Sequence, residues 1–197
     1  MRFYYWPVVR VVLVSLSHLG PERKLALAAI LGGLAVALSV IRIDVGPTKA
    51  LPWQHMVNVV AGVTLGPWWA SGLALAVGLV RMALGIGTVY SIPGGIPGAL
   101  LVGLGAVALL RLGRSPLPAG LLEPLGTAVI GFLLALYVFA PLMGDVEAWR
   151  SALTVIWLGW LSSTLIGTTL GLAALVALER SGVVRLRPPD SGGAGEG

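Results

Sequence analysis

The chain has 197 residues, 57% hydrophobic and 11% charged, with a mean hydropathy of +0.94. A soluble domain carries about 25% charged residues, so this composition excludes a water-soluble globule and a disordered chain and leaves a polytopic membrane protein. Cysteine is absent, which excludes disulfides, thiolate metal sites and cysteine nucleophiles, and the net charge of +5 is explained by the charge bias of membrane loops without any nucleic-acid partner.

The first apolar stretch, Phe3–Leu19, contains Arg10 and His18. An arginine at the centre of a span costs about 2.5–3.5 kcal/mol on insertion scales. An interfacial helix carrying Phe3, Tyr4, Tyr5 and Trp6 therefore fits better than a seventh span. A cleaved signal peptide fits least, since no small-residue cleavage site follows. Residues 1–22 read as an extension of this kind.

Leu25–Ile41 lacks charges and is bracketed by Arg23, Lys24 and Arg42, which marks a first membrane helix. Ala50–Val80 is uncharged and too long for one span. Gly66-Pro67 divides it into Leu51–Leu65 and Trp68–Leu84. Gly85–Gly98 is too rich in glycine and proline for a regular helix and reads as a loop or re-entrant segment. Helices are then expected at Ile96–Leu110, at Leu117–Leu142 with Glu123 inside, and at Ser151–Leu178. The expected fold is all-α, with six transmembrane helices over residues 23–180 and a polar, disordered tail over residues 181–197. With the N-terminus cytoplasmic, Arg2, Arg10, Arg23, Lys24, Arg111, Arg114, Arg180, Arg185 and Arg187 lie inside, and Arg42, Lys49, Arg81 and Arg150 lie outside. That bias places both termini in the cytoplasm.

Enzyme motifs are absent: there is no G-x-S-x-G, no H-E-x-x-H and no Walker A loop. No enzyme activity, cofactor or metal is expected, and active transport must draw its energy from a partner or an ion gradient. The informative residues are the polar ones inside helices, since an intramembrane polar group is a functional-site hypothesis. At about 100° per residue, Gln54, His55 and Asn58 share one face at the start of the second helix. They can bind a small polar ligand near the outer surface, or bond only to neighbouring helices. Arg81 can contact a ligand, clamp the glycine-rich loop or snorkel to headgroups. Glu123 is expected in an interhelical bond or an ion pair at the inner rim near Arg111 and Arg114, with a proton-coupling carboxylate as the alternative. Trp157 and Trp160 can stack on an aromatic ligand or join the interfacial belt. On the first helix, Ala29-x3-Gly33-x3-Ala37 and Ala28-x3-Gly32 form small-residue ladders that admit close helix packing.

Three blocks occur in order along the chain. The first runs through Val45–Lys49, Gln54–Asn58 and Leu65–Ala70. The second runs through Arg81-x3-Gly85-x-Gly87-Thr88, Pro93–Gly95 and Gly98-Ala99. The third is Glu123-x2-Gly126-Thr127. This series resembles the ThiW family, substrate-binding S components of energy-coupling factor (ECF) vitamin transporters, assigned to the thiamin precursor hydroxyethylthiazole. The resemblance covers about residues 24–178. It implies an S-component bundle of six helices in a prokaryotic plasma membrane, with cargo captured at the outer face under the loops between helices one and two and between helices three and four. It implies docking on a transmembrane T component through Ala28, Ala29, Gly32, Gly33 and Ala37, with two cytosolic ATPases supplying energy. Hydroxyethylthiazole is neutral and needs a donor, a donor/acceptor pair and an aromatic wall. Gln54, His55 and Asn58 suit the first two, and Trp53, Tyr90 or Trp157 the third. Arg81 and Thr88 join the expected site through the second block. Rival readings are the same architecture with thiamin or a pyrimidine precursor, a self-sufficient carrier coupled to protons through Glu123, and a membrane scaffold with no small ligand.

Overall fold

Proline opens most of the helices. In this computed structural model, which describes residues 13–14, 20–45 and 48–186, prolines stand in the first two positions of five helices, where a missing N–H costs nothing. In chain order, strand β1 (Leu13–Val14) precedes helix α1 (Pro21–Leu38). An antiparallel hairpin follows, β2 (Ile43–Val45) and β3 (Thr48–Ala50), in the register Asp44 opposite Lys49. Next come α2 (Pro52–Leu65), α3 (Pro67–Ala83), a short 3-10 turn at Val89–Ser91 and α4 (Ile96–Arg111). The fifth helix, α5, covers Leu117–Met143. A short helix α6 (Val146–Ser151) leads into the long α7 (Leu153–Arg180), and β4 (Val184–Arg185) pairs in parallel with β1.

About 80% of the described residues are helical. Gly66 makes the expected break between α2 and α3 with a φ of +84°, a conformation that glycine adopts without strain. Three helical stretches are long and apolar enough to cross a membrane: Val89–Arg111, Leu117–Met143 and Leu153–Arg180. The first three helices are at their expected places but do not meet that standard. Glu22, Arg23 and Lys24 lie inside the first turns of α1. With 14 residues, α2 extends about 21 Å, against a hydrocarbon core of about 30 Å.

Packing explains how a helix as short as α2 is held. It sits at the centre of the bundle, against α1, α3, α4 and α7, and most of its residues are buried. Glycines set the spacing. A Cβ added to Gly62 of α2 would lie 2.6 Å from Val102 of α4, so only glycine permits that approach. The polarity of the bundle is inverted relative to a soluble protein. Leu158, Leu165 and Ile166 of α7 and Leu125, Leu133 and Tyr137 of α5 face outward, while Gln54, His55, Asn58, Arg81, Glu123 and Thr127 are buried. That arrangement suits a lipid surround.

Two local features differ from the sequence reading. The first is α5, which is not a regular helix. It begins as a 3-10 turn (Leu117–Leu122) and widens to π-type turns over Leu125–Gly131 and Ala135–Phe139. Pro124 lies at the change, where it removes an N–H from the ladder. The second is the start of the tail. Ser181–Leu186 is described, contains β4, and buries Val184 and Leu186 in the core. Residues 1–12, 15–19 and 187–197, which carry the expected interfacial segment and most of the polar tail, lie outside the described residues.

Candidate functional site

Two chain crossings cover one end of the bundle: the β2–β3 hairpin and the connection from α3 to α4. Lys49 ties them together, its ammonium donating to the Ile86 carbonyl at 3.2 Å. Beneath them lies a small polar cavity. Its walls include Thr48 and Lys49 of the hairpin, Gln54 and His55 of α2, Thr88, Tyr90 and Ser91 of the connection, Thr127 of α5, and Trp160 and Ser163 of α7. The open space is about 20 Å³, room for roughly one water molecule.

The aromatic wall is built as a unit. Tyr90, Phe132, Trp149 and Trp160 pack with ring centroids 4.9 to 6.0 Å apart, in tilted and edge-on pairs. Trp160 donates its indole N–H to Thr48 Oγ1 at 3.3 Å, and Tyr90 donates its hydroxyl to Asp145 Oδ2 at 2.6 Å. Both bonds connect the cavity wall to the segments above it.

Behind the cavity lie two fully buried charged side chains. Three polar atoms surround Glu123 Oε1: His55 Nδ1 at 2.6 Å, and the donors Thr127 Oγ1 at 2.9 Å and Asn58 Nδ2 at 3.3 Å. Asn58 also donates to the Gly95 carbonyl at 3.1 Å, which fastens α2 to the start of α4. Glu123 Oε2 is buried without a partner. Arg81 donates from Nη2 to Gln54 Oε1 and from Nη1 to Ser39 Oγ, the latter at 3.4 Å. Among the described residues, no carboxylate lies within ion-pair distance of Arg81. The two opposite charges thus hold two consecutive residues of α2.

The polar face expected on α2 is present. Gln54 and His55 line the cavity, and Asn58 sits one turn deeper, in the Glu123 cluster. Thr88 and Tyr90 line the cavity as well. Arg81 is 0% exposed, so it does not snorkel. Its carbonyl accepts the N–H groups of Ile86 and Gly87, and among the described residues its side chain hydrogen-bonds to Gln54 and Ser39, of which Gln54 lines the cavity. Glu123 makes interhelical bonds and no ion pair with Arg111 or Arg114. The two indoles divide differently from the sequence reading. Trp157 is 38% exposed, donates to the Ala128 carbonyl at 3.1 Å and is not part of the cavity lining. Trp53 is half-buried and also outside the lining. Trp160, three residues after Trp157 and about 60° from it around α7, supplies the indole in the wall. Ser163 was not singled out from sequence. The run Trp160-x2-Ser163-Thr164-x2-Gly167-Thr168 has the helical spacing of one small, polar face and could have marked it.

The small-residue ladder splits between two faces of α1. Ala28 and Gly32 are buried against α3, and a Cβ at Gly32 would lie 3.0 Å from Leu73. Ala29, Gly33 and Ala37 are exposed. Ala28, Ala29, Gly32 and Gly33 line an open groove of about 700 Å³ between α1 and α3, walled also by Trp68, Trp69 and Gly72. It is larger than the cavity but almost wholly apolar, so it offers a docking surface and no means of recognising a polar cargo.

The family model described as thiamine-precursor transporter protein (ThiW) matches residues 25–181. The chain belongs to the ThiW family. No curated protein and no solved structure gives a match. Transport of a thiamine precursor across a membrane is the function of the family. The ThiW match takes in the hairpin, the α3–α4 connection and every residue of the buried cluster.

Proposed function

We propose that this ThiW chain is the substrate-capture (S) component of an ECF-type importer and that its cargo is hydroxyethylthiazole. The observation that carries the reading is the cavity lining: an aromatic wall, an amide, an imidazole and hydroxyls, with Lys49 as its only charged member among the described residues. A neutral aromatic ring with one acceptor nitrogen and one hydroxyl needs these groups and no counter-charge. Thiamin is cationic. It would meet the Lys49 ammonium and no carboxylate in the lining.

On this reading α1–α5 and α7 are the six spans of an S-component bundle in a prokaryotic plasma membrane, multi-pass, with both termini cytoplasmic by the lysine and arginine bias. The covered end of the bundle then faces outward. The T component docks on the apolar groove through Ala29, Gly33 and Ala37, with Ala28 and Gly32 supporting the helix from within, and two cytosolic ATPases power release. The buried Glu123 carboxylate favours one second reading, a self-sufficient proton-coupled carrier. Uptake into proteoliposomes that lack a T component and ATPases would establish that alternative.

Calorimetric titration of the purified protein in detergent tests the cargo. Hydroxyethylthiazole is expected to bind, and thiamin is not expected to displace it. With about nine heavy atoms and a ceiling near 1.5 kcal/mol per atom, nanomolar affinity is within physical reach. Binding should change the tryptophan fluorescence of the wild type, Trp160→Phe should remove most of that change, and Trp157→Phe should keep it. Displacement by thiamin at similar concentration would transfer the assignment to thiamin.

A further inference from the structure

We propose that Arg81 and Glu123 are positioning residues that fix the hydrogen-bond polarity of the cavity. Together they make it select a neutral ligand that accepts a hydrogen bond from Gln54 and donates a hydroxyl proton to His55. The proposal rests on reading this cavity as the cargo site.

The guanidinium has only donors, so its contact with Gln54 requires the amide oxygen on that side. The amide nitrogen is thereby turned away from Arg81. Gln54 Nε2 is buried without a partner in a residue that lines the cavity. It is a donor with nothing to donate to. The imidazole is fixed in the same manner by the opposite charge. Glu123 Oε1 receives donors from Asn58 and Thr127, and His55 Nδ1 lies 2.6 Å from the same oxygen. A carboxylate oxygen bound in this way demands the proton on Nδ1, which leaves Nε2 as the bare acceptor. Ser163 Oγ, also unpartnered in the lining, can serve in either sense. The ammonium of Lys49 is engaged by the Ile86 carbonyl.

The cavity therefore presents one fixed donor and one fixed acceptor on neighbouring residues of α2. An alcohol satisfies the acceptor, and an aromatic ring nitrogen satisfies the donor. A phosphate ester in place of the alcohol brings acceptors and negative charge to His55 Nε2 and is rejected on the same ground. Buried groups left without partners are what make such discrimination steep.

The test compares hydroxyethylthiazole with its 2-chloroethyl analogue, which keeps the ring nitrogen but has no hydroxyl proton. Binding of both is measured on the full chain, wild type and Glu123→Gln, together with the ¹⁵N imidazole shifts of His55. The wild type should prefer the alcohol by about tenfold or more and show the proton on Nδ1. In Glu123→Gln the preference should shrink toward unity, because the new amide can offer its own N–H to Nδ1 and release the tautomer. Equal binding of the two ligands by the wild type overturns the proposal and leaves the cargo assignment standing. So does a His55 protonated on Nε2. If neither ligand binds, the cargo assignment fails, and the His55 signal alone decides the polarity: Nδ1–H supports it and Nε2–H overturns it. The wild-type arms suffice should Glu123→Gln fail to fold.

Discussion

Arg81→Met is expected to weaken hydroxyethylthiazole binding by about tenfold to a hundredfold while changing the melting temperature little. The two effects separate because Arg81 enters each of them differently. For binding, methionine keeps an unbranched stem but has no donor, so the Gln54 amide is free to turn over and present its oxygen to the cargo. Losing one hydrogen bond to a charge-oriented group is worth about 1.5–3 kcal/mol, which is the stated range at 1.4 kcal/mol per decade. For stability, the substitution leaves Gln54 Oε1 and Ser39 Oγ without a donor, although Ser39 keeps its bond to the Ala35 carbonyl at 2.5 Å. Against that loss stands the removal of a buried cation with no carboxylate beside it, which relieves a desolvation cost. The terms oppose each other, and a near-null shift results. Arg81→Lys retains a donor and should keep most of the affinity. Calorimetry and thermal unfolding in detergent read both quantities. Wild-type affinity in Arg81→Met would remove Arg81 from any part in recognition.

Gly126→Val should instead damage folding and binding together. Here the backbones of α4 and α5 touch: a Cβ at Gly126 would lie 2.6 Å from Gly98 Cα and 2.6 Å from the Pro97 carbonyl oxygen. The opposing glycine is constrained in turn, since a Cβ at Gly98 would come 2.7 Å from Glu123 Oε1. A branched side chain must therefore push α5 away from α4 at the depth of the carboxylate. Overpacking of this kind costs about 1–3 kcal/mol, and with backbone as the neighbour there is no flexible group to give way. The displacement draws Glu123 from His55 and Thr127 from the Gly94 carbonyl it approaches at 3.3 Å. A fall in melting temperature of several degrees and loss of measurable binding are expected. Gly126→Ala should show the same signs at smaller size. An unchanged melting curve would mean that the two helices do not meet at this level.

The helical class and the places of the main breaks were legible because they depend on local chemistry. Uncharged runs, Gly66-Pro67 and the proline starts act within a few residues. The face of Gln54, His55 and Asn58 was legible for a similar reason, since α2 is a regular helix and three residues at that spacing must share an arc. Depth within the bundle was not. Glu123 falls early in α5 and so suggests the inner rim, but a 3-10 start rises faster per residue than an α-helix, and Pro124 and the wide turns beyond it alter the course again. The partners of Glu123 on α2 and those of Arg81 on α1 and α2 are long-range, and no spacing rule contains them. Hydropathy treats Trp157 and Trp160 alike. Which of them faces the cavity was decided by the seating of α7 against the hairpin, where Thr48 accepts from Trp160. The ladder on α1 showed the same limit: small residues declared a close approach, but two of them serve α3 and three remain exposed.

The tightness of the cavity has a consequence in time. A space of about 20 Å³ cannot admit a substituted ring, and it is roofed by Lys49 on the Ile86 carbonyl, Thr48 under Trp160 and Asp145 on Tyr90. With the cavity as the proposed cargo site, capture waits for those bonds to part. Observed association rates should then level off as cargo concentration rises, at a plateau set by the frequency of opening rather than by diffusion. The same roof holds what has entered, so residence is long for the reason that entry is slow. The measured affinity is the intrinsic one scaled by the fraction of molecules standing open.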